Sequence, residues 1–172
     1  MLIKTLFLTS LMIAFALAGY PQPRPNQWKG LVPLVSTRSD VERLLGNPIN
    51  KSLDIYETTA ERVTIWYSKG NCEDPGAIWN VPRDTATQIL VAPKTFLSLQ
   101  EIRKMVLTPL SKEIDPHVRG NTLYYTEDRS IKFETRMLPD GSEDVIFVAY
   151  SPGKSDEALR CKCLGQAARK PE

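Results

Sequence analysis

Few residues in this chain of 172 could carry chemistry. His117 is the single histidine, set in Ile114-Asp115-Pro116-His117-Val118-Arg119-Gly120. Any histidine-based acid–base or nucleophilic scheme must use it, with Asp115 as the nearest carboxylate in sequence. The flanking Pro and Gly read as a loop. A turn histidine is therefore the simpler reading, and a small hydrolase using His117 the least favoured of the functions considered. Carboxylates pair up at Glu57 and Glu61, Glu73 and Asp74, and Glu143 and Asp144. Glycoside chemistry needs two such groups flanking a scissile bond. These fall in expected turns and strand edges, where solvated charge is ordinary, and nothing singles one pair out. One histidine and three cysteines at these spacings match no standard zinc pattern. No Gly-x-Ser-x-Gly elbow, His-Glu-x-x-His motif or phosphate loop occurs. The chain reads as a non-enzyme, with no catalytic residue, no metal site and no cofactor.

The cysteines point instead to the compartment. Lys4 supplies a positive start, residues 6–17 are apolar apart from Thr9 and Ser10, and Ala16-Leu17-Ala18 is a small-x-small cleavage site. Residues 1–18 read as a signal peptide too short to span a membrane comfortably, with Gly19 as the new N-terminus. No Cys follows the cleavage site, and no second apolar stretch reaches spanning length. The mature chain is expected to be secreted or periplasmic, with no stable membrane span. Export makes Cys72, Cys161 and Cys163 oxidisable. A Cys161–Cys163 bridge is strained by its single intervening residue. Cys72–Cys161 is favoured, with Cys72–Cys163 as the alternative. The net charge of +2 and the absence of a basic, aromatic-interleaved stripe argue against nucleic acid.

The elements that would position any site follow from pattern. Residues 19–27 form a Pro-rich leader. Thr37 and Asp40 make a Thr-x-x-Asp capping box; Val41, Leu44 and Leu45 share a helical face, and Gly46 and Pro48 end the helix. Strands are expected at 52–58, 62–68 and 87–92, with a long loop over 69–85 that carries Cys72. The pattern then restarts. Ser98 and Glu101 form a second capping box, Ile102, Met105 and Val106 a second apolar triplet, and Pro109 a second stop. Strands at 123–126, 130–135 and 145–150 follow. Helix and three strands, twice in the same order, read as an internal duplication; a single α+β domain with two similar helices is the alternative. The expected organisation is a first α+β unit at 28–96, a second at 97–151, and a tail over 152–172 tied back by cysteine.

Alternation assigns faces. Val63, Ile65, Tyr67, Ile89, Val91, Ile131, Phe133, Ile146, Val148 and Tyr150 are expected to meet the helices. The opposite face carries Thr64, Trp66, Leu90, Lys132, Glu134 and Phe147. Trp66, Leu90 and Phe147 are too apolar for a face left to water. Either the loop or the tail covers them, or they anchor a protein partner. Trp79, in Trp79-Asn80-Val81-Pro82, is read either as a plug beneath its loop or as a further recognition residue.

The motif from Thr37 through Asp40-Val41 and Leu44-Leu45-Gly46 to Pro48, followed by strands carrying Tyr56 and Tyr67, resembles that of the SmpA/BamE-type small envelope proteins. A tandem of such units is similar to the β-lactamase inhibitor protein fold, and the whole chain is similar to a group of small secreted bacterial proteins. The second copy, Ser98 to Tyr150, lacks the Leu-Gly pair. The resemblance implies an α+β fold of two tandem helix-plus-antiparallel-sheet units, with helices packed on one sheet face. It further implies protein binding on the other face, where Trp66, Leu90 and Phe147 lie. BamE relatives are lipid-anchored, and the anchoring Cys is missing here. The expected function is an exported, non-enzymatic protein-interaction module. The alternative is a secreted proteinaceous inhibitor of an extracellular hydrolase.

Overall fold

The computed structural model describes residues 26–95, 97–106 and 108–162. The expected signal peptide, most of the expected Pro-rich leader, Cys163 and the end of the tail lie outside them.

Both helices begin where their capping boxes place them. Thr37 accepts from the Asp40 amide while the Asp40 carboxylate accepts from the Thr37 backbone, opening α1 (Arg38–Leu45). Ser98 and Glu101 do the same for α2 (Leu99–Met105). Gly46 ends α1 at φ 76°, a backbone region that side chains with a Cβ rarely enter. Leu44 departs from the expected face and is 46% exposed, because eight residues of helix turn only Val41 fully inward, with Leu45 half-buried beside it.

The strands are β1 (Ile55–Glu57), β2 (Glu61–Tyr67), β3 (Ala86–Pro93), β4 (Leu110–Ile114), β5 (Asn121–Thr126), β6 (Ile131–Met137) and β7 (Glu143–Tyr150). They form one antiparallel sheet in the order β1-β2-β3-β7-β6-β5-β4. This corrects the expected fold class of two tandem helix-plus-sheet units. Ile89, Leu90 and Val91 of β3 pair with Tyr150, Ala149 and Val148 of β7, which merges all the strands into a single seven-stranded sheet. The helical content is slight: two short α-helices and one 3-10 turn (Lys154–Leu159) among the described residues. The fold is sheet-dominated. β4 is an additional strand. Beyond the half-buried Leu110, its Ser-Lys-Glu-Ile sequence is exposed because it forms the outer edge of the sheet.

One sheet face carries the core. Trp28, Leu31, Val41, Tyr56, Val63, Ile65, Ile89 and Val91 pack together beneath α1. Leu99, Ile102, Tyr124, Ile131, Phe133, Val145 and Val148 do so beneath α2. Tyr150 lies against both groups and joins them, and burial pushes its hydroxyl up to about 12. Ile146 was expected in this core, but Val145 takes its place. Glu134 pairs with Phe147 while Thr135 pairs with Val145, so Ile146 is the extra residue of a bulge and the alternation of β7 shifts there.

The segments leading into the helices are stitched to the sheet in parallel ways. Thr37 bridges Thr85 just before β3, and Ser98 bridges Asp144 at the start of β7. Cys72 is disulfide-bonded to Cys161 with a Cα–Cα distance of 5.3 Å. The bridge spans 89 residues, and closing so long a loop is worth about 2–4 kcal/mol. The loop bearing Cys72 turns tightly at Gly70, where a Cβ would stand 1.8 Å from the Asp74 carboxylate.

Candidate functional site

The pairing registers define the second face of the sheet. Thr64 faces Leu90 and Trp66 faces Gln88 across β2 and β3; Leu90 faces Ala149, Ala149 faces Lys132, and Phe147 faces Glu134. Trp66, Leu90 and Phe147 therefore lie on one face, on three neighbouring strands. Trp66 is 45% exposed, whereas Leu90 and Phe147 are half-buried. The Lys132 ammonium sits 5.2 Å from the centre of the Phe147 ring. Further along, Glu134 is buried and accepts from the Asn121 side chain at 2.7 Å. Gln88 donates to the Ser151 hydroxyl at 3.0 Å, and Asn26 to the Ser151 carbonyl, so the start of the tail crosses the sheet margin here.

Trp79 is placed elsewhere. It is 8% exposed and packs with Leu34 and Val81 in a small separate cluster. The tail closes over it. Asn80 donates to the Leu159 carbonyl, Cys161 donates to the Ile78 carbonyl, and the Arg160 guanidinium lies 4.7 Å above the indole. Thus Trp66, Leu90 and Phe147 share one face, while Trp79 sits under the disulfide-held tail. His117 is exposed, and the Asp115 carboxylate accepts from the His117 and Val118 backbone amides as a turn brace. Among the described residues no group of three or more His, Cys, Asp or Glu is placed to hold a metal ion, and no helix is long and apolar enough to cross a membrane.

Two charged clusters lie on the helix side, and of their charged members only Glu143 stands out in the sequence, as half of a carboxylate pair. In the first, Arg38 pairs with Asp54 and Asp84 while its guanidinium lies 4.0 Å over the Tyr67 ring. Both aspartates hold positive φ, 49° and 61°, on different loops. Asp tolerates that region better than most residues. The hydrogen bond to Asp54 raises the Arg38 guanidinium well above its ordinary value, against the opposing effect of burial. Burial raises Tyr67, and its hydroxyl meets that of Tyr56 at 3.1 Å. Arg38 opens α1, where a cation opposes the helix dipole. That unfavourable placement is the one local signal that carboxylates must converge on it. A cleft of about 480 Å³ runs from this cluster to Trp66, past Lys69 and Arg83.

In the second cluster, Glu143 accepts from Thr135 at 2.6 Å, Tyr124 at 2.9 Å and Lys112 at 3.3 Å. Burial alone would raise the Glu143 carboxyl; these three donors outweigh it and hold it below the ordinary carboxylate value. Lys112 and Arg103 stand 5.5 Å and 5.9 Å from the centre of the Tyr124 ring. A cleft of about 550 Å³ opens above them, lined also by Ser98, Leu99, Gln100 and Ser142.

No protein-family model matches the chain. No curated protein matches it. Among solved structures, a DUF4309 family protein, YjgB, from Bacillus subtilis is similar at a TM-score of 0.46 and 14% identity, over 76% of this chain and 86% of that one. So remote a likeness carries no argument about what this chain does.

Proposed function

We propose that this protein is an exported, non-enzymatic protein-binding module of the bacterial cell envelope or secreted space, and that it recognises its partner through the open sheet face around Trp66, Leu90 and Phe147. The observation that carries the reading is the register, which sets these three side chains on one face, along a diagonal across three adjacent strands, with the indole 45% exposed. A half-exposed Trp beside further apolar side chains on an open face is a common energetic anchor of a protein interface. Arg62 and Lys132 lie on the same face, and neither has an ion pair among the described residues. The complementary partner surface is an apolar ridge flanked by carboxylates. The Cys72–Cys161 bond fits an oxidising compartment, in keeping with the signal-like start of the sequence.

A photo-crosslinking residue placed at position 66 or 147 in the producing cell tests this. One protein should be trapped from both positions, and not from position 44 on the outer side of α1. Trapping from all three positions alike, or from 44 alone, would place the interface elsewhere. If the trapped protein is an extracellular hydrolase whose activity falls in proportion to added module, the module acts as its inhibitor.

A further inference from the structure

The cleft beside α2 is short of negative charge. Two cations, Arg103 and Lys112, line the cleft at 5.9 Å and 5.5 Å from the centre of the Tyr124 ring, and Glu143 is the only carboxylate among the residues lining it. Glu143 already accepts from Thr135, Tyr124 and Lys112. Arg103 makes no ion pair and no side-chain hydrogen bond among the described residues, although its guanidinium offers five donors. The Arg38 cluster shows the completed version of such an arrangement. There a guanidinium over a tyrosine ring is met by two carboxylates.

We propose that this cleft binds the anionic group, carboxylate or phosphate, of a small ligand, which lies between the Arg103 guanidinium and the Lys112 ammonium above Tyr124. The guanidinium fork grips two oxygens of such a group in its own plane, and the ammonium supplies a second point charge. Leu99 lends the wall an apolar portion against which the rest of the ligand packs. The volume of about 550 Å³ suits a small molecule rather than a polypeptide segment. The site is separate from the proposed recognition surface: α2 and Tyr124 belong to the core side of the sheet, and Trp66 and Phe147 to the other.

The test is an amide NMR titration of the full mature protein with inorganic phosphate and, separately, with citrate, at constant ionic strength. Saturable shifts confined to Ser98, Gln100, Arg103, Lys112 and Ser142 are expected with at least one of the two, and the responding probe assigns the ligand chemistry. Arg103→Ala should weaken that binding at least tenfold, and Arg103→Lys by a smaller factor, because charge survives while the fork does not. Arg103 is exposed and makes no ion pair or side-chain hydrogen bond among the described residues, so these variants are expected to keep the fold. Either of two results overturns the proposal: no saturable shift at the cleft with both anions, or the same titration in Arg103→Ala as in wild type.

Discussion

The Arg38 cluster beside α1 and the Arg103–Lys112 cluster beside α2 use the same parts with opposite charge balance. Each lies where a helix meets the sheet, each sets a cation over a buried or half-buried tyrosine, and each involves acidic groups from elsewhere in the chain. Beside α1 one guanidinium meets two carboxylates, and the tyrosine hydroxyl is taken by a second tyrosine. Every group there is answered from within, so the cluster acts as a clamp that ties the helix start to the loops carrying Asp54 and Asp84. Beside α2 the half-buried carboxylate is answered by three donors, but one of the two cations is not. The difference separates structure from binding capacity: a closed cluster stabilises, and an open one has something left to offer.

That comparison can be broken or sharpened by substitution. Arg38→Ala leaves Asp54, itself largely shielded, without its cation and cuts the link between two loops and α1. A loss of about 2–3 kcal/mol is expected, after discounting for the partial exposure of the guanidinium. Urea unfolding measures it, and a loss below about 0.5 kcal/mol would show that the clamp is not structural. Glu143→Gln should cost about 1–2 kcal/mol at neutral pH, since it weakens charge-assisted hydrogen bonds. The effect has a sign in pH. The folded Glu143 carboxyl lies below its ordinary value of 4.5, so its contribution is complete above that value and fades as pH falls through the lower folded one. Wild type and Glu143→Gln should therefore converge in stability in acid below pH 4.5; a gap that widens in acid would contradict the assignment. Arg103→Ala should change stability by no more than about 0.5 kcal/mol, because no described partner is orphaned. A loss as large as that of Arg38→Ala would erase the distinction between the two clusters.

Much of the local structure was legible in the sequence because its causes are local. Thr37 with Asp40 and Ser98 with Glu101 identify the helix starts from three-residue spacings, and the β-branched and aromatic runs mark six of the seven strands. What escaped depends on distant partners. The meeting of β3 and β7, which turns the expected two units into one sheet, joins residues about sixty positions apart with no local signature. The edge strand β4 carries Lys112 and Glu113 where a core strand would carry apolar residues, so its sequence reads as loop. The bulge at Ile146 is invisible to a strict two-residue alternation. The open face around Trp66, Leu90 and Phe147 could be composed from alternation alone, since the register shifts of β2 and β7 fall just beyond Trp66 and Phe147. The two charged clusters could not: Arg38 finds its carboxylates 16 and 46 residues away, and Glu143 finds Lys112 at 31.

The central claim is that the open sheet face does the recognising. Calorimetric titration of the crosslinked partner, once purified, against wild type, Trp66→Ala and Leu44→Ala tests it most directly. Loss of the indole anchor should weaken binding at least tenfold, about 1.4 kcal/mol or more, with Leu44→Ala indistinguishable from wild type. Equal affinity for wild type and Trp66→Ala would contradict the account.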